Sequence, residues 1–222
     1  MNAVNKAHRS LATSVLAKEP VVLVVEDDPS VREALHRLFS TVGMQVQMFG
    51  SAAELLEITL PDAPSCIVLD IRLPGRSGLD LQEELMRAGV QIPIVFMTGY
   101  GDIPMSVRAM KAGAVDFLSK PFRDQDMLDA VAAAIERDAQ QRDALRGTAA
   151  LHRQFSSLTV REREVMTLAT AGLRNKQIAA ELGLSEITVK IHRGHAMKKM
   201  NAASLADLVR MAESLKLHVS NS

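Results

Sequence analysis

VVLVVEDDPSVREALHRLFSTVG, residues 21–43, sets the fold class of the first half of the chain. Val21–Val25 is an apolar run of strand length, and Glu26, Asp27 and Asp28 follow it directly. Val31, Leu35, Leu38 and Phe39 then recur at helical spacing, with Ser30 placed to cap the helix and Gly43 to stop it. Strand, acidic turn and helix form one unit, and that unit repeats downstream.

Further apolar runs fall at Met44–Phe49, Cys66–Leu69, Ile94–Met97 and Val115–Leu118. Between them lie helical patterns, including Leu79, Leu81, Leu85 and Met86, and a capping box from Ser51 to Glu54. Gly89 and Gly113 mark further helix stops. Such alternation predicts an α/β doubly wound sheet of five parallel strands, covered by helices on both faces.

In sheets of this kind the carboxyl ends of the strands line one crevice. The residues arriving there are Glu26, Asp27 and Asp28 after the first strand and Asp70 after the third. Thr98 and Gly99 follow the fourth, and Lys120 and Pro121 the fifth. Crowded carboxylates repel unless neutralised, and their hard oxygens suit Mg²⁺ or Mn²⁺. A hard cation beside a nucleophilic carboxylate, with Lys and Thr to receive further oxygens, is an arrangement for forming an aspartyl phosphate. Arg72 stands two residues beyond Asp70, where hydrolases of the haloacid dehalogenase type place a general acid. The site is therefore expected to hold a phosphoryl group without dedicated turnover chemistry, and no enzyme activity is expected.

From Gln125 a helical pattern continues through Leu128, Val131, Ile135, Asp138, Arg142 and Leu145, with Gly147 as the expected stop. Two charged residues in that stripe argue against a strong coiled coil and for a semi-rigid helical linker. Beyond it the pattern is helical only. Thr159 to Glu162 reads as a capping box leading into Val165, Leu168 and Ala169, with Gly172 as the stop. Lys176–Leu182 forms a short helix, Gly183-Leu184 a turn, and Ser185 caps a longer helix to about Met200. A short helix, a glycine turn and a cation-bearing helix make a helix-turn-helix. Val189, Ala196 and Met200 are expected to face its core, with Ile187 or its neighbours.

The charge distribution agrees. Residues 1–150 hold 15 Lys/Arg against 20 Asp/Glu, while residues 151–222 hold 11 against 6, so an acidic half precedes a basic one within a chain of zero net charge. The basic half suits a polyanion. Cys66 is the only cysteine, which excludes an intrachain disulfide and fits a reducing compartment. No apolar stretch approaches the ~20 residues that span a bilayer, and Lys18-Glu19 replaces the small residues of a signal cleavage site. A cytoplasmic protein without membrane contact is expected. His192 and His195, with no cysteine nearby, make a poor zinc site.

VVLVVEDDPSVR, CIVLDIRLPGRSGLDL and PIVFMTGYGDIPMSVRAMKAGAVDFLSKPF resemble the receiver domains of bacterial response regulators. SLTVREREVMTLATAGLRNKQIAAELGLSEITVKIHRGHAMKKMNAASLADLV is similar to the LuxR-type output domain of the NarL/FixJ family, and the end of the chain favours its FixJ-like branch. An extension is expected over 1–19, and the resemblance implies a receiver over 20–139 and a DNA-binding domain over 154–218, joined by a helical linker over 140–153. It implies Asp70 as phosphoacceptor and Glu26, Asp27, Asp70 and the Arg72 backbone carbonyl as ligands of Mg²⁺. Thr98 and Lys120 would contact the phosphoryl oxygens, Lys120-Pro121 would be cis, and Thr98 and Phe117 would form the switch pair. Glu26 departs from the family's more usual Asp.

In the output domain, Lys190, Ile191 and Gly194 match base-contacting positions by resemblance. Asn175, Lys176, Thr188, Arg193, Lys198 and Lys199 are candidate phosphate contacts. The expected partners are a sensor histidine kinase, double-stranded operator DNA, RNA polymerase and, once phosphorylated, a second copy of the chain. The expected role is a phosphorylation-dependent transcriptional activator. The alternative is a regulator that binds DNA independently of phosphorylation, with a structural receiver.

Overall fold

The computed structural model describes residues 18–99 and 103–217. The chain divides into two units, Met1–Arg142 and Asp143–Ser222. The extension expected over residues 1–19 lies almost wholly outside the described residues, as does residue 218.

In the first unit β1 (Val21–Val25), β2 (Gln45–Phe49), β3 (Ser65–Asp70), β4 (Ile94–Thr98) and β5 (Asp116–Ser119) form one parallel sheet in the order β2-β1-β3-β4-β5. Val25 pairs with Leu69, Asp70 with Met97 and Thr98 with Ser119, so the carboxyl ends are staggered by no more than a residue or two. The central strands are buried on both faces, as parallel strands flanked by helices must be. Alternate residues split between two cores. Leu23, Val25, Ile67, Leu69 and Phe96 pack under α2 (Ala52–Glu57), α3 (Gly78–Arg87) and α4 (Ile103–Lys111). Val22, Val24, Cys66, Val68 and Met97 pack under α1 (Pro29–Thr41) and the first part of α5 (Asp124–Ser156).

Three local expectations are corrected. Asp28, not Ser30, caps α1: its side chain accepts the Ser30 N–H at 2.8 Å, and Pro29 occupies the first turn, where a missing N–H costs nothing. Met86 is exposed rather than on the buried face of α3, whose core contacts come from Leu79, Leu81 and Leu85. The helix expected to stop at Gly147 runs on to Ser156. Ala144, Leu145, Ala149 and Ala150 surround that glycine, and strong helix formers offset its cost of about 1 kcal/mol.

The two charges on the α5 stripe are also placed differently from a solvated linker. Asp138 is buried and its Oδ2 accepts the Ser65 N–H at 2.8 Å and Arg142 Nε at 2.6 Å. Arg142 Nη2 in turn donates to the Pro61 carbonyl at 3.3 Å.

The second unit contains α6 (Val160–Thr170), α7 (Asn175–Leu182), α8 (Glu186–Lys199) and α9 (Leu205–Ser214), with Thr159, Ser185 and Ser204 capping α6, α8 and α9 through their side chains. Val165, Leu168, Ala169, Ile178, Ala179 and Val189 form one core cluster. Leu158, Met166, Ala196, Met200, Leu208 and Ala212 form the other. Ile187 faces outward, 74% exposed, because Val189 and Ala196 already fill the inner face of α8. Between α7 and α8, Gly183 takes a left-handed conformation with φ 66°, which a side chain would resist, and the chain reverses there. Among the described residues no helix is long and apolar enough to cross a membrane.

Candidate functional site

Parallel register brings the predicted acids to one corner. Glu26 leaves β1 with its N–H bonded to the Phe49 carbonyl at 3.1 Å, and the residue is only 1% exposed. Asp70 ends β3 and is 6% exposed. Glu26, Asp27 and Asp70 each present an oxygen within 4.8 Å of the others'. Asp28 turns away to cap α1, which leaves it outside this cluster.

Lys120 closes the corner. Its Nζ lies 2.5 Å from Glu26 Oε2 and 2.7 Å from Asp70 Oδ2, while its N–H donates to the Thr98 carbonyl at 2.7 Å. The Lys120-Pro121 peptide is cis. Burial pushes the Glu26 carboxyl up; hydrogen bonding and attraction from Lys120 oppose this, Asp70 adds repulsion, and the net direction is upward. For Lys120, burial works against the charge, but the hydrogen bonds to Asp70 and Glu26 outweigh it and hold the ammonium above its ordinary value. One cation therefore faces two buried carboxylates and an exposed one, and negative charge is left over. A donor set of hard oxygens with surplus negative charge fits Mg²⁺ or Mn²⁺.

Several supporting residues escaped the sequence reading. Arg32 Nη1 donates to the carbonyls of Glu26 at 2.6 Å and Asp27 at 2.9 Å, pinning the acidic turn from α1. Its place one turn into an exposed helix gave no sign of this. Gly78 starts α3 against the backbone of Asp70: its N–H donates to the Ile71 carbonyl at 2.8 Å, and a Cβ there would collide with the Asp70 carbonyl oxygen. Asp70 Oδ1 accepts the Arg72 N–H at 2.9 Å, which fixes the carboxylate's roll.

Thr98 is fully buried at the end of β4, and Phe117 is half-buried on β5 opposite Phe96, packed on the first core.

In the second unit the helix-turn-helix presents Lys190, Ile191 and Gly194 on the exposed side of α8. Ser185 caps the helix, accepting the Thr188 N–H at 3.1 Å and sharing a hydrogen bond with the Thr188 hydroxyl at 2.8 Å. Arg193 Nη1 donates to Asn175 Oδ1 at 3.2 Å, tying α8 to the first residue of α7. Lys176 and Lys198 are exposed. Lys199 is engaged elsewhere: its Nζ lies 2.6 Å from Glu162 Oε2.

Comparison with known proteins agrees with this division. Residues 22–132 match the response regulator receiver domain, and residues 156–212 match the bacterial regulatory proteins of the luxR family. A chain with both is a DNA-binding response regulator of a two-component system. Nodulation protein W of Bradyrhizobium diazoefficiens is 64% identical over 195 residues, covering 88% of this chain and 86% of its own. The FixJ transcriptional regulatory protein of Azorhizobium caulinodans is 44% identical over 191 residues, 86% of this chain and 90% of its own. The solved structure of the response regulator StyR superposes with a TM-score of 0.82 at 50% identity, over 88% of this chain and 99% of that one. The chain belongs to the NarL/FixJ family of response regulators.

Proposed function

We propose that a sensor histidine kinase phosphorylates Asp70 and that the resulting acyl phosphate controls binding of α8 to operator DNA. The observation that carries this reading is the position of the Lys120 ammonium, within 2.7 Å of Asp70 Oδ2 and 2.5 Å of Glu26 Oε2. In the transfer the P–N bond of a phosphohistidine breaks as a P–O bond to Asp70 forms. Lys120 supports this by offsetting charge on the incoming phosphoryl oxygens, and the Thr98 hydroxyl would bind another. Glu26, Asp27, Asp70 and the Arg72 carbonyl would hold Mg²⁺ (or Mn²⁺), which would neutralise the remaining phosphoryl charge. With Arg72 where a general acid would stand, the site serves as a phosphoacceptor rather than a turnover enzyme.

The acyl phosphate would draw Thr98 towards it, let Phe117 turn inward, and so reshape the face of the receiver on which a second copy docks. Lys190 and Ile191 would read bases, Gly194 would allow close approach of the DNA backbone, and Thr188, Arg193, Asn175, Lys176 and Lys198 would position phosphates. The chain would act in the cytoplasm as an activator that contacts RNA polymerase. The boundaries that go with this reading are a receiver over 20–139, a linking segment over 140–153 and an output domain over 154–218.

The test uses the full chain with acetyl phosphate as phosphodonor and beryllofluoride as a stable mimic. Intact mass should show one added phosphoryl group in wild type and none in Asp70→Asn, and light scattering should show beryllofluoride-driven dimers only in wild type. Undiminished labelling of Asp70→Asn overturns the assignment. Operator binding that is equal in both proteins under both conditions favours the phosphorylation-independent alternative.

A further inference from the structure

Four cations lie on α8: Lys190, Arg193, Lys198 and Lys199. They are not equivalent. Lys190 and Lys198 are exposed and, among the described residues, form no ion pair, and Arg193 is bonded to the neutral amide of Asn175. Lys199 alone is held by a carboxylate, and that carboxylate is buried: Glu162 is 4% exposed.

Glu162 has two other obligations. As the third residue of α6 it completes the capping box, with its Oε2 accepting the Thr159 N–H at 2.8 Å. His195, one turn before Lys199 on α8, places Nδ1 3.7 Å from Glu162 Oε1. Lys199 Nζ also reaches the Ser157 carbonyl at 3.5 Å. The lysine therefore folds back against the start of α6, where it neutralises a carboxylate whose side chain is 5% exposed. Moving it to a DNA phosphate would strip that carboxylate of its lysine and leave it with the Thr159 N–H and the more distant His195, a costly exchange for one contact on a solvated polyanion.

We propose that Glu162 is a positioning residue that holds Lys199 out of the phosphate-contacting set and so sets how many cations α8 offers to DNA. This deepens the reading of α7 and α8 as the DNA-binding element and rests on it. It would also remove Lys199 from the candidate phosphate contacts, although its sequence position beside Lys198 gives no sign that the two point to different tasks.

The experiment measures binding of the full chain, with beryllofluoride, to a mixed-sequence duplex over a series of salt concentrations. Each phosphate neutralised adds about 0.9 to the steepness of log K against log salt. Glu162→Gln keeps an amide oxygen for the Thr159 N–H but releases Lys199, so the slope should steepen by about 0.9. The added charge alone is controlled by Glu213→Gln on α9, an exposed acid that holds no cation among the described residues. Adding Lys199→Gln to Glu162→Gln should return the slope to that of wild type.

A slope for Glu162→Gln no steeper than that for Glu213→Gln overturns the proposal. So does a loss of about 0.9 in slope from Lys199→Gln in the otherwise wild-type chain, since the lysine would then already touch phosphate. That second measurement decides the matter if Glu162→Gln fails to fold. Absence of any binding by the wild type, at any salt, would instead remove the DNA-binding reading itself.

Discussion

Asp138, well along α5, accepts the backbone N–H of Ser65, the first residue of β3, at 2.8 Å across 73 positions of sequence. Both residues are buried, and the other claim on the same carboxylate oxygen is Arg142 Nε at 2.6 Å. The bond satisfies a strand N–H at the amino-terminal edge of the sheet and fixes α5 against it beyond the reach of its apolar stripe. Asp138→Ala would strand both donors, at a cost of about 2–3 kcal/mol in urea unfolding. Asp138→Asn, whose amide oxygen still accepts from Ser65, should cost about 1 kcal/mol. Equal losses in the two variants would show that the cavity, and not the hydrogen bond, sets the cost.

Gly78 yields a sharper prediction at Asp70. A methyl group there meets the Asp70 carbonyl oxygen and lies 3.0 Å from Ile71 Cα, both of them backbone and unable to swing aside. Gly78→Ala must displace either the start of α3 or the end of β3. Overpacking of this kind costs about 1–3 kcal/mol, and the displaced Asp70 should take up phosphate from acetyl phosphate several-fold more slowly. Wild-type stability and labelling rate in this variant would mean that the loop yields freely.

Glu162 gives the output domain a pH dependence of known sign. Burial pushes its carboxyl up, but hydrogen bonds from Lys199 and the Thr159 N–H more than offset this and hold it below the ordinary 4.5. A carboxyl depressed by folding adds stability that is complete above the unfolded value and lost as pH falls through the folded one. The stability difference between wild type and Glu162→Gln should therefore be constant above pH 4.5 and shrink below it. Urea melts of the full chain across that range check this, and a difference that persists undiminished in strong acid would refute it.

The receiver's site was legible because each of its main residues ends a strand. Once Val21–Val25 and Cys66–Leu69 read as parallel strands, Glu26 and Asp70 had to share an edge, and Lys120 had to arrive beside them. Residues that act by filling or pinning left no such trace. Gly78 resembled an ordinary loop glycine, Arg32 an ordinary exposed helix cation, and Asp138 a polar interruption of an apolar stripe. Each is specified by a partner distant in sequence or by backbone proximity, which periodicity does not report. Ser30 lost the cap of α1 to Asp28 because Pro29 favours the first helical turn, a competition between neighbours that spacing alone leaves undecided.

Gly194 separates the two demands on α8. Beyond the adjacent helix backbone no atom lies within 4 Å of where its Cβ would be, and the residue is exposed in mid-helix, so no packing inside the protein requires a glycine. Gly194→Ala should then stabilise the output domain by about 1 kcal/mol, read as a higher thermal midpoint. A stabilising change that the fold accepts points to a demand from outside it, and on the proposed DNA-binding side of α8 that demand would come from the DNA backbone. Affinity for operator should accordingly fall several-fold in the same variant, even though the helix is firmer and its cations are unchanged. If affinity and specificity hold while the midpoint rises, close approach of DNA is not the reason for the glycine, and Lys190 and Ile191 alone would carry the contact with bases.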